Sequence, residues 1–123
     1  MTENETPQDT LSLKGRRAVV TGSSSGIGRA IALELSAAGA EGLIHANRSI
    51  AGGEKLRQEI TARGARCEFI QADLRTGKAA TAFFEEALET LGSLDIWINN
   101  AGVDILTGEG AKLPYEEKLD SLI

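Results

Sequence analysis

The eight residues Thr21 to Gly28 (TGSSSGIG) constrain this chain more than any others, because three glycines there join two segments of different periodicity. Just before them, residues 17–21 (RAVVT) form a short β-branched run suited to a strand. Just after them, Ile27, Ile31, Leu35 and Ala38 recur at helical spacing, and Gly39 stands where a helix end takes a left-handed residue. The unit is a strand, a tight turn and a helix. It repeats: residues 42–46 are apolar and extended, Leu56 and Ile60 mark a second helix, and Gly64 ends it. Residues 66–72 (RCEFIQA) lead into a helix with Phe83, Ala87 and Leu91 on one face, Phe84 and Leu88 beside them, and Gly92 as its stop. Residues 94–99 (LDIWIN) are an almost continuous apolar run, which predicts a strand buried on both faces, as in a parallel sheet covered by helices. Pro114 suits the first turn of a fourth helix. Four β-α units in succession predict an α/β fold with a doubly wound parallel sheet and right-handed crossovers. Residues 13–123 carry this pattern, and the polar, acidic residues 1–12 read as a flexible tail.

Composition narrows the function classes. The 14 glycines in 123 residues exceed the roughly 7% of ordinary proteins, in keeping with many tight turns. No apolar run approaches the roughly 20 residues of a membrane helix, so no membrane partner is expected. The N-terminus has neither a basic n-region nor an apolar h-region, and a cytoplasmic location is the expectation. The net charge of -5 disfavours nucleic acid as the main partner. Cys67, the single cysteine, can form neither an internal disulfide nor a multi-cysteine metal site, and reads as a buried strand residue. His45, the single histidine, lies within an apolar strand and reads as a core or strand-end residue. No metal site is expected.

The glycine turn is where chemistry enters. Gly22, Gly26 and Gly28 are spaced G-x-x-x-G-x-G, a departure from the G-x-G-x-x-G dinucleotide fingerprint that meets the same physical requirements. The chain must turn sharply, its backbone must approach a pyrophosphate, and the helix must offer free N–H groups and a positive dipole end. Ser23, Ser24 and Ser25 add hydroxyl donors. No lysine follows the loop, so a P-loop nucleotidase is excluded. A second reading stays open, in which the glycines only shape a turn. At the end of the second strand, where an acidic residue would bind a ribose diol, stand Asn47 and Arg48. An amide and a guanidinium favour a 2′-phosphate, hence NADP over NAD, although Arg48 also reads as a solvated helix-start residue. A fold that binds S-adenosylmethionine would want an acid there.

The sequence resembles the classical short-chain dehydrogenases/reductases on three motifs in their proper order. These are residues 21–28 for the TGxxxGIG cofactor turn, Asp73-Leu74 after the third strand, and Asn99-Asn100-Ala101-Gly102 after the fourth. The resemblance implies a Rossmann-like fold and an NAD(P)-dependent oxidoreductase that moves a hydride between nicotinamide and an alcohol or ketone. It implies that Ser24, Ser25 and Ile27 belong to the cofactor turn with the glycines. It further implies that Asp73 accepts a hydrogen bond from the adenine amino group, that the Leu74 backbone holds the ring, and that residues 99–102, including Asn100, Ala101 and Gly102, close the cofactor groove. Family members are commonly homo-oligomeric. Their catalytic Asn, Ser and Tyr-x-x-x-Lys follow the Asn-Asn-Ala-Gly segment, and this chain has no matching set. Tyr115 and Lys118 are spaced by three instead of four, in a segment resembling the helix that leads into the catalytic Asn. No catalytic residue is therefore assigned. The expectation is a cofactor-binding half, truncated after about four β-α units and inactive alone, with Trp97 in the core. The alternative is a non-catalytic, stand-alone nucleotide-binding fragment.

Overall fold

The computed structural model describes residues 12–101. Its elements alternate as β1 (Arg17–Val20), α1 (Gly26–Ala37), β2 (Glu41–Ala46), α2 (Ile50–Ala62), β3 (Cys67–Gln71), α3 (Gly77–Leu91) and β4 (Ile96–Ile98). The strands are all parallel, in the order β3-β2-β1-β4. Chain order reverses direction across the sheet between β1 and β4, so their carboxyl ends flank the crevice where such sheets bind ligands. The Pro114 helix and Gly102 lie outside the described residues.

Period two along the strands divides the core between the two faces. Val19 and Leu43, paired in register, pack under Phe83, Ala87 and Leu91 of α3. Val20 and Ile44, the next pair, pack with Ala32 of α1 and Leu56 and Ile60 of α2. The sheet is therefore covered on both faces, as the alternating pattern predicts. The helices stop at glycines because a residue there must take a left-handed φ, which is +104° at Gly39, +91° at Gly64 and +85° at Gly92.

In α1 the buried positions are Gly28 and Ala32, while Ile27, in the first turn, is 67% exposed. One expectation needs correction. The fourth strand is three residues long and is not buried on both faces, since Trp97 is 36% exposed. Trp97 shares the α3 face with Val19, its register partner. There it is covered by the rings of Phe83 and Phe84, at centroid distances of 5.7 and 5.6 Å.

Candidate cofactor site

The chain leaves β1 at Thr21 and is clamped at once by both neighbouring strands. On the β4 side, the Thr21 hydroxyl donates to Asn99 Oδ1 at 3.1 Å and accepts the Ala101 N–H at 3.0 Å. Asn100 Nδ2 donates to the Gly22 carbonyl at 2.9 Å. On the β2 side, the Gly22 N–H donates to His45 Nδ1 at 3.0 Å and the Ser23 N–H to the His45 carbonyl at 2.8 Å. The Ser23 hydroxyl donates to Val20 O at 2.9 Å and accepts the His45 N–H at 3.0 Å. Ser23 is fully buried, so its hydroxyl braces the turn and is not offered to a ligand, unlike the expectation for all three serines. Ser24 is half-buried and Ser25 exposed.

Each glycine of the turn is needed for a different reason. Gly22 has φ +60°, and a Cβ there would lie 2.9 Å from Ala101 Cα. Gly28 is ordinary helix, but a Cβ would meet the Gly22 carbonyl oxygen at 2.3 Å and Asn100 Nδ2 at 2.5 Å. Gly26 has φ +60° with nothing within 4 Å of where its Cβ would be, which leaves an open face above the start of α1. That start has no side-chain cap on Ser25 and no acidic residue in its first turn, whereas α3 is capped by Thr76, whose hydroxyl accepts the Ala79 N–H at 3.1 Å. The first N–H groups of α1 thus have no intrahelical acceptor and retain the positive end of the helix dipole. This face suits a pyrophosphate in charge and in hydrogen-bonding sense.

The ends of β2 and β3 lie beside the turn. Asn47 is half-buried, its carbonyl accepting from Gln71 Nε2 at 2.6 Å, and Arg48 is exposed. Asp73 receives Arg75 through the backbone N–H at 3.1 Å and the guanidinium at 2.8 to 3.1 Å. Those bonds, desolvation opposing them, and the more distant Arg48 hold the Asp73 carboxyl below its ordinary 3.8. Asp73 is therefore ionised and already engaged. The adjacent Leu74 lines a groove of about 440 Å³ together with Thr21, Phe84, Trp97, Asn99 and Ala101. Trp97 thus forms a wall of that groove, where the sequence suggested core. Cys67 is buried, and desolvation pushes its thiol up to about 12. Among the described residues no group of three His, Cys, Asp or Glu is arranged to hold a metal, and no helix is long and apolar enough to cross a membrane.

The sequence-predicted residues Gly22, Ser24, Ser25, Gly26, Ile27, Gly28, Asn47, Arg48, Asp73, Leu74, Asn100 and Ala101 all sit at the carboxyl end of the sheet. Gly102 lies outside the described residues. Sequence reasoning missed Thr21 and His45 as braces. The family model for short chain dehydrogenase matches residues 16–123. The chain belongs to the short chain dehydrogenase family. It is 38% identical over 105 residues to the hydroxynaphthalene reductase-like protein Arp2 of Metarhizium anisopliae, covering 85% of this chain and 38% of that protein. A short chain dehydrogenase from Burkholderia cenocepacia, solved in complex with NADP, superposes with a TM-score of 0.73 at 37% identity, over 89% of this chain and 44% of that one. A blue fluorescent protein from a metagenomic library, in complex with NADPH, gives a TM-score of 0.69 at 36% identity, over 72% of this chain and 37% of that one. This short-chain dehydrogenase sequence spans about 38% of the length of the curated relatives it matches.

Proposed function

We propose that this chain is the cofactor-binding part of an NAD(P)-dependent oxidoreductase acting on an alcohol or ketone. The observation that carries the reading is the open face at Gly26, over an uncapped and acid-free helix start, between strands that brace the turn from both sides. In this reading the N–H groups at the start of α1, with Ser24 and Ser25, hold the pyrophosphate. Gly22 and Gly28 keep the backbone close enough for it to reach them. The Leu74 backbone and Ala101 flank the adenine, and Asp73 accepts its amino group by exchanging one of the bonds now made to Arg75. Gly102 completes the same segment. The bound nicotinamide supplies the hydride chemistry; the residues assigned here bind and orient, and none is assigned to proton transfer.

NADP is the preferred cofactor. Arg48 supports this, being an exposed cation at the end of β2 beside the neutral Asn47, where a ribose diol would call for an acid. The relatives solved with NADP and NADPH agree with it. Calorimetric titration with NADPH, NADH and S-adenosylmethionine is the test. NADPH is expected to bind most tightly, and binding of S-adenosylmethionine alone would overturn the reading. Arg48→Ala should weaken NADPH binding by about 1.5–3 kcal/mol, the usual worth of a hydrogen bond to a charged group, and leave NADH nearly unchanged. Equal losses would remove the phosphate role from Arg48. NADPH binding without turnover on any carbonyl substrate would favour a nucleotide-binding module over an enzyme.

A further inference from the structure

His45 is the fifth residue of the six-residue β2, buried on the face that carries Leu43 and α3. A polar ring among apolar neighbours must have both nitrogens partnered, and it does. Nδ1 lies 3.0 Å from the Gly22 nitrogen and Nε2 lies 2.8 Å from the Ala72 carbonyl oxygen. The chemistry of these partners decides the tautomer. A backbone N–H can only donate, so Nδ1 must be a bare acceptor; a carbonyl can only accept, so Nε2 must carry the proton. The ring thus ties the first glycine of the cofactor turn to the residue just before Asp73. It joins the pyrophosphate side of the site to the adenine side.

We infer that His45 is a positioning residue of the cofactor site, whose neutral, Nε2-protonated ring sets the position of Gly22 and releases it when the ring takes up a second proton. The inference rests on reading the turn as the dinucleotide site. A proton on Nδ1 would set donor against donor at Gly22, on a ring whose residue is only 2% exposed. The Phe83 ring packs against the imidazole in a T-shaped pair with centroids 5.0 Å apart, and carries no lone pair to take the place of a bond to Gly22. The Ser23 hydroxyl is committed to Val20 O and to the His45 backbone. Of the charged groups on the elements around the ring, Asp73 follows the bonded Ala72 and is engaged by Arg75, Arg48 stands just past the end of β2, and Glu41 opens the same strand and is engaged by Arg17. No charge among the described residues acts on the ring to favour its protonation. Burial pushes it below the ordinary 6.5, opposed only by the bond to Ala72. The neutral state is therefore the resting one near neutrality, and acid is the perturbation.

The test is NADP+ affinity of the intact chain for three proteins, wild type, His45→Asn and His45→Leu, measured from about pH 8 down to one unit below the titration point of the His45 ring, which nitrogen NMR of wild type locates first. Asn places an amide oxygen near the Nδ1 position, keeps an acceptor for Gly22 and does not titrate. Leu removes the acceptor. At the upper pH, His45→Asn is expected to bind within about tenfold of wild type and His45→Leu to lose more than that. One unit below the ring's titration point the competent fraction falls to about one tenth, so wild type should weaken about tenfold relative to His45→Asn. Ionisation of the cofactor's own 2′-phosphate affects both proteins alike and cancels in the ratio. A ratio that stays flat while both proteins remain folded overturns the inference, as does a folded His45→Leu that binds like wild type. Absence of NADP+ binding by every protein, wild type included, strikes the cofactor reading instead. A separate readout then judges His45: nitrogen NMR assigned through His45→Asn must find Nε2 protonated and Nδ1 bare, and the opposite tautomer refutes the positioning role.

Discussion

Gly28→Ala isolates the steric demand of the cofactor turn from its conformational demand. Gly28 has no positive φ, so an alanine there adds a methyl without straining the backbone. That methyl carbon would lie 2.3 Å from the Gly22 carbonyl oxygen and 2.5 Å from Asn100 Nδ2, against the 3.4 Å at which ordinary contact begins. Neither neighbour is a free side-chain end, because the Gly22 carbonyl is main chain and Asn100 is the group that bonds it at 2.9 Å. The turn must therefore retreat by roughly 1 Å. Overpacking of this kind costs about 1–3 kcal/mol, and loss of the Asn100 bond about 1 kcal/mol more. Alanine's better helix propensity returns up to about 1 kcal/mol. The net loss is about 2 kcal/mol, or a fall in Tm on the order of 10 °C for a domain of this size. NADP+ affinity should fall with it, since in the proposed reading the displaced turn carries the N–H groups that hold the pyrophosphate. Gly26→Ala is the control, with open space around its Cβ but φ +60°. It should cost only about 1–2 kcal/mol of left-handed strain, with the Asn100 brace intact. Circular dichroism melts and cofactor titration of both variants decide the matter. A Gly28→Ala protein as stable as wild type, with unchanged affinity, would refute the packing argument.

Three further outcomes are expected. Phe83→Ala removes a 2% exposed ring that touches both His45 and Trp97, and should cost about 3–5 kcal/mol in urea denaturation; a loss under about 1 kcal/mol would contradict its place in the core. Cys67, buried with its thiol pushed up to about 12, should resist alkylation in the native state and react on unfolding, so rapid native labelling would be inconsistent with the structure. The folded His45 ring titrates below 6.5, so the unfolded chain binds more protons as pH falls past that value. Stability from this group is then complete above about pH 6.5 and declines on acidification, until the folded ring also charges. Urea midpoints from about pH 7.5 to 5.5 should slope for wild type and lie flatter for His45→Asn; identical slopes would assign the acid sensitivity elsewhere.

Much of the fold was legible because its physical requirements are local. The β-branched run of β1, the helical face of Phe83, Ala87 and Leu91, and the stopping glycines each follow from spacing or from φ alone. The glycine turn was legible for the same reason. What escaped depends on which element covers which face. Trp97 looks like core in sequence, but its exposure is set by how far Phe83 and Phe84 of α3 extend over it. Ser23 and Ser24 are chemically alike, and only the rotation of the chain between β1 and α1 turns one hydroxyl inward. A lone histidine in an apolar strand suggests core, and His45 is indeed buried. The missing step was to ask what satisfies its two nitrogens, since period two sets it on Leu43's face, where only backbone groups from the adjoining loops can serve.

The bracing of the cofactor turn also orders the events of folding. Its eight residues are contiguous, yet the bonds that shape it span very different lengths of chain. The His45 contact to Gly22 closes 23 residues, while Asn100 to Gly22 and Ala101 to Thr21 close 78 and 80. The longer closures carry about 1 kcal/mol more loop entropy than the shorter one. The β2 half of the clamp can therefore form as soon as the first two strands pair. The β4 half waits until α3 has packed and β4 has docked on β1. A turn encoded in one short stretch thus depends for its final shape on contacts made across most of the described chain, and pairing of β1 with β2 alone would brace it from one side.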